Sequence, residues 1–260
     1  MNAAVNLMSV VPVYNTPGKS TDLVSQLLFG ECVKVLDNRN HWLLVSDLQD
    51  NQLGWLHEDM LRTLNDEEYE QLTGKPLFYS ADLVQLLENK TRRSGFLIPF
   101  GSHLFSNENK EFDLLGDKYL FHGNTVGKEG IQSDDIVKHA FLFENSPYLW
   151  GGKTPLGIDC SGFVQIIYKL AGMALPHNAE AQALKGQHIS FLEESLPGDL
   201  VFFDNEEGEI VHVGILLNSE NVIHAFRYVR INRLDHHGIF DQYNKKYTHK
   251  LRLIKRLLWE

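Results

Sequence analysis

One stretch, Tyr148-Leu-Trp-Gly-Gly-Lys-Thr-Pro-Leu-Gly-Ile-Asp-Cys-Ser-Gly-Phe163, limits what the rest of the chain can become. Its glycines and proline make a loop rather than a regular element. Directly after it, Phe163, Ile166, Ile167 and Leu170 recur at the i, i+3, i+4, i+7 spacing of one helix face, and Gly172 supplies the stop. Asp159 is placed to cap that helix, so Cys160 falls on its first turn. Unpaired N–H groups and the positive end of the helix dipole are expected to favour a thiolate there.

A cysteine taken at random is more often a small buried hydrophobe than a catalyst. Cys160 departs from that pattern because it follows a glycine-rich loop, opens a helix and has small neighbours. Downstream, His212 interrupts the apolar run Val211–Leu216 and His224 interrupts Val222–Phe226, both of strand character. A lone histidine in such a run is usually a core residue, but two of them with a helix-opening cysteine form a candidate Cys/His/His unit. His122, His139, His177, His236, His237 and His249 have no comparable context, and most of them are expected at the surface.

Asp159-Cys-Ser-Gly-Phe163, Pro197-Gly-Asp-Leu-Val-Phe-Phe203, His212-Val-Gly-Ile215 and Ile223-His-Ala225 together resemble the NlpC-type cysteine peptidases of bacterial cell-wall metabolism, over roughly residues 131–260. The resemblance implies Cys160 as nucleophile, His212 as base and His224 as the residue that orients the base. It also implies that Tyr148 lies near the oxyanion, together with the Cys160 N–H. Around these residues the chain reads as helices first and strands after: a helix begins at Ser133 as its cap, and a short one spans Asn178–Leu184. Strands are expected at Leu200–Phe203, Val211–Leu217, Asn221–Phe226, Tyr228–Asn232 and Leu251–Arg256. That order describes an α+β domain with an antiparallel sheet, and the resemblance implies the papain-like scaffold.

Ahead of it, residues 1–64 read as short strands at Ser9–Tyr14, Glu31–Leu36, His41–Val45 and Gly54–Leu56, separated by turn residues. Trp42-Leu-Leu-Val45 and Gly54-Trp55 resemble the landmarks of a bacterial SH3 domain. Residues 65–75 are polar and are expected to form a linker with one helical turn. Residues 76–130 again show short apolar runs, from which a second SH3-like barrel is expected. The fold expected is thus multidomain: two small all-β SH3-like barrels and an α+β papain-like peptidase domain.

This order resembles the γ-D-glutamyl-L-diamino acid endopeptidase (dipeptidyl-peptidase VI) type. That resemblance implies hydrolysis of the γ-D-glutamyl–diamino acid bond in murein stem peptides carrying a free N-terminal L-Ala. It implies substrate contacts at Ser161, Asp159, Asn178, Asp22 and Trp55, no cofactor and no metal. Two positions depart from the pattern: Asn178 stands where relatives usually carry an aspartate, and Gln52-Leu53 precedes Gly54-Trp55 where a tyrosine is common. Two other functions use the same features, namely a zinc-dependent hydrolase built on Cys160, His212 and His224, and a non-catalytic module that binds wall peptides.

Net charge of −10 and the lack of a basic, aromatic-laced stripe argue against nucleic acid, and fit small soluble substrates better than an anionic wall. No apolar run reaches the roughly 18–20 residues that span a bilayer, and no protein partner is implied. Met1–Met8 lacks a basic n-region and an apolar h-region, the pattern expected of a cytoplasmic protein. Of the two cysteines, Cys32 sits in a strand pattern and is expected in a core, with no disulfide to Cys160.

Overall fold

A computed structural model describes residues 2–18, 21–105, 110–127 and 133–257, in two compact units, Met1–Gly130 and Ile131–Glu260. The first unit opens with a seven-stranded antiparallel sheet in the order Leu23–Leu28, Val10–Tyr14, Leu53–His57, Trp42–Asp47, Cys32–Arg39, Ala3–Val5, Arg62–Leu64. Its strands alternate as half-buried sheets do: Val11 and Val13 point inward on one strand, Leu43 and Val45 on another. Three strands, Ala3–Val5, Leu23–Leu28 and Arg62–Leu64, are additional to those expected.

Residues 65–75 differ from the expected linker. Helix α1 (Asp66–Thr73) starts with a capping box, in which Asn65 Oδ1 accepts from the Glu68 N–H (2.8 Å) and Glu68 Oε2 accepts from the Asn65 N–H (3.0 Å). Its one buried residue, Leu72, enters a core cluster with Ala3, Val5, Phe29 and Leu64, and also with Leu87, Ile98, Phe112 and Phe121. Residues 76–130 form a four-stranded and a three-stranded antiparallel sheet, and apolar residues of both share a core cluster with Ala3, Val5, Phe29 and Leu64 of the first half. The first half also has a cluster of its own, around Val11, Val13, Leu43, Val45 and Leu56.

In the second unit, α2 (Ser133–Leu142), α3 (Cys160–Leu170) and α4 (Ala179–Ala183) precede a seven-stranded sheet. The side chain of Ser133, expected as a cap, lies outside the described residues. The strands are β1 (Gln187–Ile189), β2 (Leu200–Asp204), β3 (Ile210–Asn218), β4 (Asn221–Phe226), β5 (Tyr228–Asp235), β6 (Gly238–Asp241) and β7 (Lys246–Arg256), in the order β1-β7-β2-β3-β4-β5-β6. The first half of β7 also pairs with β6, so the antiparallel sheet closes on itself.

Helix α3 is buried on every side, not on one face as its apolar spacing predicts. Phe163, Ile166, Ile167 and Leu170 are fully covered, each burial worth roughly 1.5–3 kcal/mol. The polar face survives burial because it is paired: Gln165 Nε2 donates to Leu175 O (2.7 Å) and the Tyr168 hydroxyl to Gly198 O. The helix stops where the sequence says. Gly172 takes a left-handed φ of 76°, its N–H bonds Lys169 O, and the Met173 N–H reaches back to Tyr168 O, a Schellman closure.

Leu72→Ala is expected to destabilise the protein by about 2–5 kcal/mol, read from urea unfolding followed by fluorescence. A loss below about 0.5 kcal/mol would mean that the helix is a solvated connector after all.

Candidate active site

The loop before α3 is held by one carboxylate. Asp159 caps the helix by accepting from the Gly162 N–H (2.7 Å), and its other oxygen accepts from the Gly151 N–H (2.8 Å). The Ser161 hydroxyl donates to it at 3.1 Å, and His177 Nε2 lies 3.0 and 3.1 Å from its two oxygens. Burial pushes this carboxyl up, but His177 and the two N–H donors outweigh it and hold Asp159 below its ordinary value. Glycine is required where loop and helix touch: a Cβ on Gly162 would lie 2.3 Å from Gly152 O and 2.8 Å from His177 Nε2.

Cys160 follows on the first turn, buried, with its own N–H and those of Ser161 and Val213 directed at the sulfur. Val213 adjoins His212, so the thiol lies against the strand that carries the expected base. The expected thiolate is not the resting form. Burial, then the neighbouring Asp159 charge, push the thiol up to about 12, and the three N–H groups offset only part of that.

The histidines converge through sheet register. On β3, β4, β5 and β7 the residues His212, His224, Asn232 and His249 share the inner face, with Phe203 paired to His212 and Arg230 to His224. His212 Nε2 and His224 Nδ1 are 2.7 Å apart, and His224 Nε2 lies 3.1 Å from Asn232 Oδ1. Gly214 makes room for this pair, since a Cβ there would meet Val222 Cγ2 at 2.6 Å and His224 Cβ at 3.1 Å. Burial, then His224 and His249, hold His212 well below the ordinary histidine value, and burial holds His224 down at about 3. Thiol and imidazoles are therefore all neutral at rest.

Tyr148 is half-buried, its backbone N–H tied to Arg227 O (3.1 Å). Burial, with Cys160 and Asp159 nearby, pushes its hydroxyl up, so it keeps its proton and is a donor. Ser161 is spent on Asp159. Asn178 caps α4, its Oδ1 accepting from the Ala181 N–H (3.0 Å). Asp22 and Trp55 belong to the first unit. Asp22 is exposed before the Leu23–Leu28 strand, and Trp55 is buried beneath the Arg39 guanidinium, 5.1 Å from its ring centre. Both cysteines are free, and Cys32 is half-buried beside the first unit's core.

Two of the histidines without a local signal belong to the site. His177 is buried on Asp159, and His249 packs over His212 with ring centres 4.4 Å apart. Pro176 ahead of a short helix was a weak pointer to His177. Nothing local marks His249, because it lies on the first half of β7, which polar residues disguise.

Residues 145–253 match the NlpC/P60 family, and residues 13–61 match the bacterial dipeptidyl-peptidase SH3 domain. The gamma-D-glutamyl-L-lysine dipeptidyl-peptidase of Bacillus subtilis (strain 168) is 29% identical over 226 residues, covering 80% of this chain and 74% of that protein. Its namesake from Bacillus cereus (strain ATCC 10987 / NRS 248) is 27% identical over 247 residues, covering 85% and 73%. Among solved structures, an NlpC/P60 family protein from Bacillus cereus ATCC 10987 has a TM-score of 0.82 at 21% identity, over 98% of this chain and 99% of that one.

A protonated resting thiol has a kinetic signature. Alkylation of Cys160 by iodoacetamide should keep rising with pH through about pH 10, because the thiol's value of about 12 lies above that range. A plateau reached by neutral pH would reveal a thiolate–imidazolium pair instead.

Proposed function

We propose that this chain, which carries an NlpC/P60 domain and a bacterial dipeptidyl-peptidase SH3 domain, is a cysteine peptidase that cuts the γ-D-glutamyl–diamino acid bond of murein peptides. The observation that carries the reading is Cys160 on the first turn of α3, its sulfur against the Val213 N–H beside the hydrogen-bonded His212–His224 pair. The Cys160 thiol gives its proton to His212 as the sulfur attacks the γ-carbonyl. The Cys160 N–H and the Tyr148 hydroxyl donate to the oxyanion, an effect typically worth several kcal/mol. His212 then passes the proton to the leaving amine, and water cleaves the thioester. Because burial holds His212 well below the ordinary value, the base stays unprotonated as pH falls through 6.5.

The substrate class rests on the names of the two Bacillus relatives, which specify a γ-D-glutamyl-L-lysine bond and removal of a dipeptide. Within that class, soluble fragments with a free N-terminal L-Ala are the form we propose. The zinc reading has less support. His212 Nε2 and His224 Nδ1 are committed to each other, and among the described residues no three His, Cys, Asp or Glu side chains are set to hold a cation.

Purified protein incubated with L-Ala-γ-D-Glu-L-Lys should release L-Ala-γ-D-Glu, read by mass, while the N-acetylated peptide should be a poor substrate. Cys160→Ala should lower turnover by at least about a thousandfold with the fold intact. Turnover within about tenfold of wild type would reject the nucleophile assignment, and equal cleavage of the acetylated peptide would reject amine recognition.

A further inference from the structure

Beyond His224 the hydrogen bonds do not end. Asn232 Oδ1 receives Arg230 Nε at 2.7 Å as well as His224 Nε2 at 3.1 Å. The Arg230 guanidinium is in turn held by Asp241 Oδ2 at 3.4 Å, with its centre 5.7 Å from the rings of both Phe226 and Tyr228. Asp241 is itself fixed by the Tyr243 N–H (2.9 Å) and by Asn244 through its N–H (3.2 Å) and Nδ2 (2.9 Å).

The direction of every bond in this chain is decided at one end. Arginine has only donors, so the Asn232 atom facing Arg230 Nε is its oxygen, and the amide cannot be turned over. That oxygen can only accept, so His224 carries its proton on Nε2. His224 Nδ1 is then bare and must accept, which makes His212 Nε2 the donor of the 2.7 Å bond. On His212 itself, Nδ1 is then the nitrogen without a proton.

We infer that Arg230 and Asn232 are positioning residues that set the tautomers of both histidines, leaving His212 Nδ1 bare to take the Cys160 proton. The inference rests on the cysteine-peptidase reading for its consequence, but not for its geometry. The chain transfers no proton beyond His212: it moves from Cys160 Sγ to Nδ1 and from there to the leaving amine, while the outer bonds keep their direction. A neutral amide at the third step suits a neutral pair. A carboxylate there would draw His224 towards the charged form, whereas Asn232 fixes orientation without adding charge.

The test pairs Asn232→Leu, which removes the acceptor, with Asn232→Asp, which keeps it. In the protein labelled with ¹⁵N-histidine, long-range proton–nitrogen spectra distinguish protonated from bare ring nitrogens. Wild type and Asn232→Asp should both show His212 and His224 protonated on Nε2. Asn232→Leu should show mixed or Nδ1-protonated forms, with kcat on L-Ala-γ-D-Glu-L-Lys lowered roughly tenfold or more and KM little changed. Asn232→Asp should retain most of kcat and shift the acid limb of its pH profile upward, since the added carboxylate favours a charged His224. A bare Nε2 on wild-type His212, or unchanged tautomers in Asn232→Leu whatever its kcat, would overturn the inference. Failure of the wild type to cleave the peptide would sink the proposed substrate alone, because the spectra report on the histidines without turnover.

Discussion

The carboxylate of Asp159 is the point on which the candidate active site depends. It accepts from the loop at Gly151, from the helix at Gly162 and from the Ser161 hydroxyl, and it pairs with His177 from the segment ahead of α4. Three pieces of chain that share no regular hydrogen bonding are thus fixed to one buried acid. Such an acid is stable only when every oxygen is occupied, and here both are. Removing one partner would leave charge uncompensated in a site nearly closed to water. Asp159 is therefore an anchor of the site.

That anchor has a cost for the thiol of Cys160. A helix N-terminus lowers a thiol, yet the Asp159 charge and deep burial raise Cys160 by more. The histidines answer in kind, since burial makes a charged imidazole as unwelcome as a thiolate. Thiol and imidazoles are thus both held in their neutral forms. Neutrality places the burden on tautomers rather than on charge, and the sheet meets it by lining up His224, Asn232 and Arg230 on neighbouring strands.

The first unit follows a different logic. Its polar segment at residues 65–75 looks like a connector because its composition is that of one. A single leucine and an Asn/Glu capping box were enough to make it a helix with one buried anchor. With Leu72 in place, the two halves share one core cluster, while the first half keeps a second of its own. Short sheets gain stability by burying a face in common.

What the sequence determined by itself was local. The glycine loop, the Asp159 cap, the apolar period of α3 and the Gly172 stop all act within a turn or two of chain, so residue type and spacing suffice to read them. The β-favouring runs around His212 and His224 were legible for the same reason. Tertiary structure alone decided what depends on distant chain. The burial of α3 on its polar side depends on elements packed around it, and the raised thiol depends on the water they exclude. The place of His249 comes from the β6–β7 pairing, and that of Asn232 from the β4–β5 register. His177 meets Asp159 only because the chain folds back after α3. Register and exclusion of water are properties of the assembled sheet, and no single segment carries them.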